Sequence, residues 1–263
     1  MIRREWEGGW LLILQTEHAR LSGFMGGHWG SGDFIRPGPW EEALLAAAEH
    51  DNGWREWEER PGLNAEGAPA HFTETPLDEN FNIFRRGVKR LYDQGHPYAA
   101  ALVSRHAANV YAGVRSVRSV NAEEAERIGA YIAEQEETQA AIRRELAGRP
   151  GLERFLAQDC IRRNGRFVTT LDALSLVLCC GWSHVRRLRE VPVGEDGFTH
   201  LDLRLGDGVH LHVTPWPFDR DDLTFSARGR RLSARPFPSP EAFRAALERA
   251  PVAEVVFRLT PGP

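Results

Sequence analysis

The chain has few of the residues that would mark it for several common classes. Lys89 is its only lysine, and a net charge of −4 leaves no basic excess. The sequence therefore predicts no nucleic-acid partner and no attachment to an anionic membrane surface, both of which need a positive field. Three cysteines, two of them adjacent (Cys179 and Cys180), make no disulfide framework and fit a reducing compartment. No apolar run approaches the length of a membrane span, and Met1–Glu7 lacks the apolar core of a signal peptide. These absences predict a cytoplasmic protein. The phosphate-binding glycine loop, the Gly-x-Ser-x-Gly elbow and the dinucleotide fingerprint are also missing.

What is present is a 263-residue chain with 42% apolar and 27% charged residues, enough to bury a core. Its texture changes near residue 190. Before that point, apolar stripes at helical spacing and punctuating Gly and Pro predict a short strand over Trp10–Leu14 and then helices. These begin at Thr16 and run over Trp40–His50, Phe81–Tyr92, Pro97–Tyr111, a segment capped by Asn121 with Glu124 completing a capping box, Leu152–Arg163 and Thr170–Cys180. A Pro-, Gly- and Asn-rich stretch from about Arg60 to Asn80 is long enough to serve as a lid or binding loop. After Pro192, alternation predicts a hairpin turning at Gly206-Asp207-Gly208, a second turning at Arg228-Gly229-Arg230, a helix over Pro240–Arg249 and a last strand over Ala253–Leu259. The expected fold is mainly α, with a helical body over residues 1–190. A small β-rich (α+β) module over residues 191–263 packs on it.

The chemistry-bearing residues are spread along the body. His18 lies on the first helix, His50 and Asp51 adjoin at the end of the next, and Asp172 lies in the last. Imidazoles and carboxylates are ligands for a divalent cation, and carboxylates can bridge two ions. Each also has a plainer reading: a His at a helix C-terminus suits the dipole, and Asp172 would sit at the third position of a helix capped by Thr169. His106, in an apolar helix, is either a core histidine or a further ligand. His71, beside Phe72 in the long loop, is the next choice, and His28 ranks below it. His200, His210 and His212 read most simply as the polar side of a strand. Cys179 and Cys180 read as buried small apolar residues.

His50-Asp51-Asn52-Gly53 resembles the H-D-x-G signature of the HD-domain superfamily of metal-dependent phosphohydrolases. The order His18, His50-Asp51, Asp172 is similar to that superfamily's ligand order. Gln15–His18, His50–Trp54, Leu102–His106, Asp172–Leu176 and Pro215–Phe218 resemble an uncharacterised bacterial family related to it. The resemblance implies a helical HD-like fold and one or two divalent ions (Fe, Mn, Zn or Mg) held by His18, His50, Asp51 and Asp172, with His106 as an extra ligand. The expected function is hydrolysis of a phosphoester or similar small molecule by a metal-activated water. Asp51, His106 and Arg105 would take the catalytic roles, and Trp54, Trp57 and His71 would shape the pocket. Glu17 or Glu49 would accept a proton. Many HD enzymes carry Lys directly after the signature. Trp54 stands there in this chain, so phosphate-facing charge would come from Arg55, Arg105 or Arg163. A di-iron oxygenase of HD type stands as the alternative, as does a non-catalytic scaffold with Trp216 and Phe218 as contact anchors. A homo-oligomer is compatible with either.

Overall fold

The computed structural model describes residues 1–117, 120–233 and 235–262. The chain begins with two strands, β1 (Ile2–Trp6) and β2 (Gly9–Ile13), and continues through helices α1 (Gln15–Gly27), α2 (Trp40–Glu49) and α3 (Arg55–Glu59). Four long helices follow: α4 (Leu77–Asp93), α5 (Pro97–Val117), α6 (Ala122–Leu146) and α7 (Gln158–Cys180). Strands β3 (Arg187–Val193), β4 (Gly197–Leu205), β5 (His210–Thr214) and β6 (Leu223–Ser233), helix α8 (Pro240–Arg249) and strand β7 (Val252–Pro261) complete it.

All seven strands form one sheet in the order β1-β2-β6-β7-β5-β4-β3. Every neighbouring pair is antiparallel except β5 and β7. This overturns the expectation of a mainly α protein with a small β module: the fold is mixed α and β. The sheet draws strands from both ends of the chain, β2 pairing with β6 from Gly9↔Ser233 to Ile13↔Gly229. Long-range pairing of this kind leaves no trace in local periodicity. Burial explains why Trp10–Ile13 reads as an unbroken apolar run. Leu11 and Ile13 face the main core, whereas Leu12 packs with Met1 and Phe243 of α8 in a second cluster, so β2 is covered on both sides.

Two further expectations are corrected. Leu223–Ser233 is one strand and not a hairpin, because Gly229 lies flat between β2 and β7, paired with Ile13 and Ala253. A Cβ there would come within 2.8 Å of the Leu12 carbonyl oxygen, so this glycine permits a close crossing of strands rather than a turn. Likewise, α7 runs unbroken over 23 residues through Thr169, which is therefore mid-helix. Its hydroxyl bonds back to the Gly165 carbonyl at 2.9 Å instead of capping a new helix. Asp172 is thus not stabilised by a helix N-terminus. The Asn121–Glu124 capping box, the β4–β5 hairpin and α8 form as expected.

The core lies between the inner face of the sheet and the helices. Leu201, Leu203, Leu211, Val213, Phe257 and Leu259 of the sheet share a buried cluster with Leu21 and Met25 of α1 and with Phe167, Leu171 and Leu174 of α7. Helices α1, α2, α5 and α7 pack against one another, and this central group carries the site. Among the described residues, no helix is long and apolar enough to cross a membrane.

Candidate metal centre

Four segments distant in sequence bring their polar side chains to one place. His18 comes from α1, His50 and Asp51 from the end of α2, His106 from α5 and Asp172 from α7, and all five are buried. Asp51 Oδ2 lies 2.8 Å from His18 Nε2 and 3.9 Å from His50 Nε2. Asp172 Oδ1 lies 3.3 Å from His50 Nε2 and 4.0 Å from His18 Nδ1, and its Oδ2 lies 3.9 Å from His106 Nε2. Ligands about 2.0–2.2 Å from one ion stand roughly 3–4.4 Å from each other, so the Nε2–carboxylate separations of His50 and His106 match a shared cation. Two sets, His18–His50–Asp51 and His50–His106–Asp172, each have ligand atoms within 4.8 Å of one another.

The hydrogen bonds behind the imidazoles fix which nitrogen faces inward. The Ser175 hydroxyl spends its single proton on the Asp172 carbonyl oxygen, 2.8 Å away. With its proton there, its oxygen is an acceptor for a His18 Nδ1–H, the two atoms also lying 2.8 Å apart. His50 Nδ1–H donates to the Ala47 carbonyl at 2.9 Å. The Thr169 hydroxyl donates to Gly165, so it accepts from His106 Nδ1–H at 3.0 Å. The carbonyl acceptor requires Nδ1–H at His50, and the same tautomer at His18 and His106 is the one that leaves Nε2 with a lone pair, as in metal-ligating histidines. With all three rings in that tautomer, three lone pairs and two carboxylates converge with no neutral donor among them. His50 Nε2 is buried without a hydrogen-bond partner among the described residues.

Such an acceptor-only cluster needs positive charge, and with no metal bound a proton supplies it. Burial lowers the His50 pKa, but the Asp51 and Asp172 carboxylates outweigh burial and raise it to about 9. Burial pushes Asp172 up, yet His50 and the other imidazoles bring it down to about 2. Burial dominates at His106 and lowers it to about 4. The residues present fit a divalent cation, whose charge would balance the two carboxylates and take the place of the proton on His50.

Gly53 of the signature has a structural reason. The 3₁₀ turn Asn52–Trp54 presses against α4, and a Cβ on Gly53 would lie 2.0 Å from the Ile83 carbonyl oxygen. Only glycine lets the His50-Asp51 corner seat there.

Asp51, His106 and Asp172 form part of the wall of a cavity of about 680 Å³, together with Trp54, Phe72, Phe84, Tyr111 and Leu176. Several residues singled out in the sequence lie elsewhere. Trp57 packs edge-to-face on Trp54, with centroids 5.4 Å apart, and joins the cluster around Phe243. His71 caps the turn Phe72–Glu74 and does not line the cavity. Arg105 follows α5 about 100° away from His106, and it lies against Gly165 and 3.7 Å from Glu136. Arg55 pairs with Glu49, Arg163 donates to the Gly194 carbonyl, and Glu17 binds Arg20. None of these five reaches the cavity wall. His28 pairs with Asp219, while His210 and His212 share Thr260. Phe218 is buried against Trp29, so it is core rather than a contact anchor.

The residues that sequence reasoning missed are Ser175, Thr169, Gln15 and Tyr111. Two of them carry a signal. Ser175 stands three positions after Asp172 and Gln15 three before His18, each on its partner's helical face.

Comparison with curated proteins and with solved structures finds no match to either. Residues 1–234 match the family described as Protein of unknown function (DUF3891), and the chain belongs to that family.

Proposed function

We propose that this protein is a metal-dependent hydrolase of small molecules, with its centre built from His18, His50, Asp51, His106 and Asp172. One observation carries the reading: three imidazoles, each bonded through Nδ1 to a protein oxygen, turn their Nε2 atoms toward two carboxylates on the wall of an otherwise largely apolar cavity. The order of these ligands along the chain, and the glycine that seats the His50-Asp51 corner, support a relation to HD-type phosphohydrolases. A divalent ion held there would supply Lewis acidity to a substrate oxygen and lower the pKa of a water at the site.

The chain's own residues do the rest. Ser175, Ala47 and Thr169 hold the three rings in the ligating tautomer. Trp54, Phe84 and Tyr111 exclude bulk water and strengthen electrostatic interactions inside. Asp51 and Asp172 set the charge, and a carboxylate oxygen not used by the ion is the proton acceptor at the wall. Elemental analysis of protein purified without added metal, then reconstituted with Mn, Fe or Zn, tests the reading. One divalent ion per chain with turnover of a generic ester or phosphoester is the expected result. Absence of metal after reconstitution leaves a scaffold.

A second reading is a di-iron oxygenase. It is favoured by five nitrogen and oxygen ligands falling into two overlapping sets. Two irons per chain with substrate-dependent oxygen uptake would select it.

A further inference from the structure

The cavity above the centre has an unusual electrostatic make-up for a site that handles phosphate. Among the described residues, no arginine or lysine lines it. Its titratable lining groups, apart from His106 and Tyr111, are Asp51, Asp172, Glu74 and Glu124. Glu74 already receives the Arg3 guanidinium at 3.0 Å. Enzymes that grip phosphate commonly supply a bidentate guanidinium, and among the described residues none lines this cavity. The remaining wall is aromatic and aliphatic, and its volume suits a single small ligand.

The neutral polar groups in that wall include Gln15, Thr73, Thr75 and Asn80, and among the described residues Gln15 and Thr75 each hold a buried oxygen with no hydrogen-bond partner. Gln15 is 2% exposed, lines the cavity, and its Oε1 has no hydrogen-bond partner among the described residues. It is held rigidly at the first turn of α1. The Glu58 carboxylate accepts the Gln15 backbone N–H and, at 3.0 Å, the Thr16 hydroxyl. Glu58 thereby caps a helix whose own Leu14 offers no capping side chain. An amide carries both a donor and an acceptor, so Gln15 can pair with a neutral amide, ester or hydroxyl group, whereas its unpartnered Oε1 gains nothing from a dianion, which brings no proton.

We propose that this site takes an uncharged small molecule with a ring-sized apolar body and one amide- or ester-like group, and that Gln15 hydrogen-bonds that group. The inference rests on the metal-dependent reading only for the position of the reacting bond, since the walls and Gln15 act with or without an ion. It separates the substrate from the phosphoesters that the ligand order alone implies.

Calorimetric titration with N-benzylacetamide and with benzyl phosphate, which share a ring and differ in charge, tests it. Each is titrated into EDTA-treated and into Mn(II)-loaded protein. N-benzylacetamide should bind at least 10-fold more tightly than benzyl phosphate to the metal-free protein and should keep the advantage in the loaded one. Gln15→Leu should weaken N-benzylacetamide about 10-fold without changing Mn(II) stoichiometry or melting temperature. Val110→Trp, which fills the cavity from α5, should abolish binding of N-benzylacetamide with Mn(II) uptake intact. A preference for benzyl phosphate in the loaded protein, equal affinity of Gln15→Leu, or absence of N-benzylacetamide binding overturns this inference while leaving the metal centre standing. Loss of Mn(II) uptake with N-benzylacetamide binding retained refutes the metal reading alone.

Discussion

Replacing Asp51 by Asn probes the centre most directly, because it changes one atom and reverses one contact. In the native protein Asp51 Oδ2 faces His18 Nε2 at 2.8 Å, and in the tautomer that ligates a metal both are acceptors. An Asn amide would put an N–H there and donate to the His18 lone pair. It would also remove a buried charge and one ligand. A new buried hydrogen bond contributes about 1 kcal/mol, and a chain of this size gains roughly 2–4 °C in melting temperature per kcal/mol, so at the alkaline end of the profile, where His50 has lost its proton, metal-free Asp51→Asn should melt a few degrees above the metal-free native protein. The native protein should instead gain about 2.7 kcal/mol when a divalent ion is present at 100 times its dissociation constant, or roughly 5–11 °C, and the variant should lose most of that gain. The pH profile adds a signed check. His50, raised to about 9 by Asp51 and Asp172 against the effect of burial, stabilises the metal-free protein fully below its ordinary value of about 6.5. That contribution is lost as pH rises through about 9. Asp51→Asn should flatten this decline, and metal should bind the native protein more tightly as pH rises and the His50 proton leaves. Thermal melts from pH 6 to 9.5, with EDTA or with Mn(II), Fe(II) or Zn(II), measure all of this. A variant that keeps the full metal-dependent gain, or a native protein that shows none, refutes the assignment of Asp51 and the logic of the acceptor cluster.

Ser175→Ala frees His18 Nδ1 from its acceptor and should weaken metal binding by about 10–100-fold, read by competition with a chelating dye; rescue by Ser175→Thr separates the hydrogen bond from packing. Gly53→Ala should destabilise the fold by about 3 kcal/mol or more, because its Cβ would meet the Ile83 carbonyl at 2.0 Å; a melting temperature within a degree of native would contradict the close approach. Burial first, and then nearby positive charge including Arg3, lowers the His71 pKa to about 4. The unfolded chain therefore takes up this proton near pH 6.5 and the folded one does not, so stability falls as pH drops from about 6.5 toward 4. Protonation at Nδ1 also removes the acceptor for the Thr73 backbone N–H that caps the turn Phe72–Glu74. Titration of the His71 ring by NMR checks this, and an apparent pKa near 6.5 would refute the burial argument.

The local sequence carried much of the helical architecture and the identity of the cluster. Apolar spacing and the Asn121–Glu124 box mark helices whatever they pack against, since those signals act within a few residues. Histidine and aspartate announce ligand chemistry by type. The sequence could not show that β1 and β2 complete a sheet with β6, because that pairing spans more than 200 residues and has no local signature. Nor could it show that Gly229 lies inside a strand or that Thr169 sits mid-helix, since glycine and threonine serve equally well in close crossings and in turns or caps. Tertiary packing also decided which side chains share the site. Adjacent residues on a helix diverge by about 100°, which sends His106 to the cluster and Arg105 away from it, while Ser175, Thr169 and the Ala47 carbonyl engage Nδ1 of three histidines and leave their Nε2 atoms facing inward. Residue type is encoded one position at a time, whereas a tautomer and a ligand distance depend on neighbours that only the folded chain brings together.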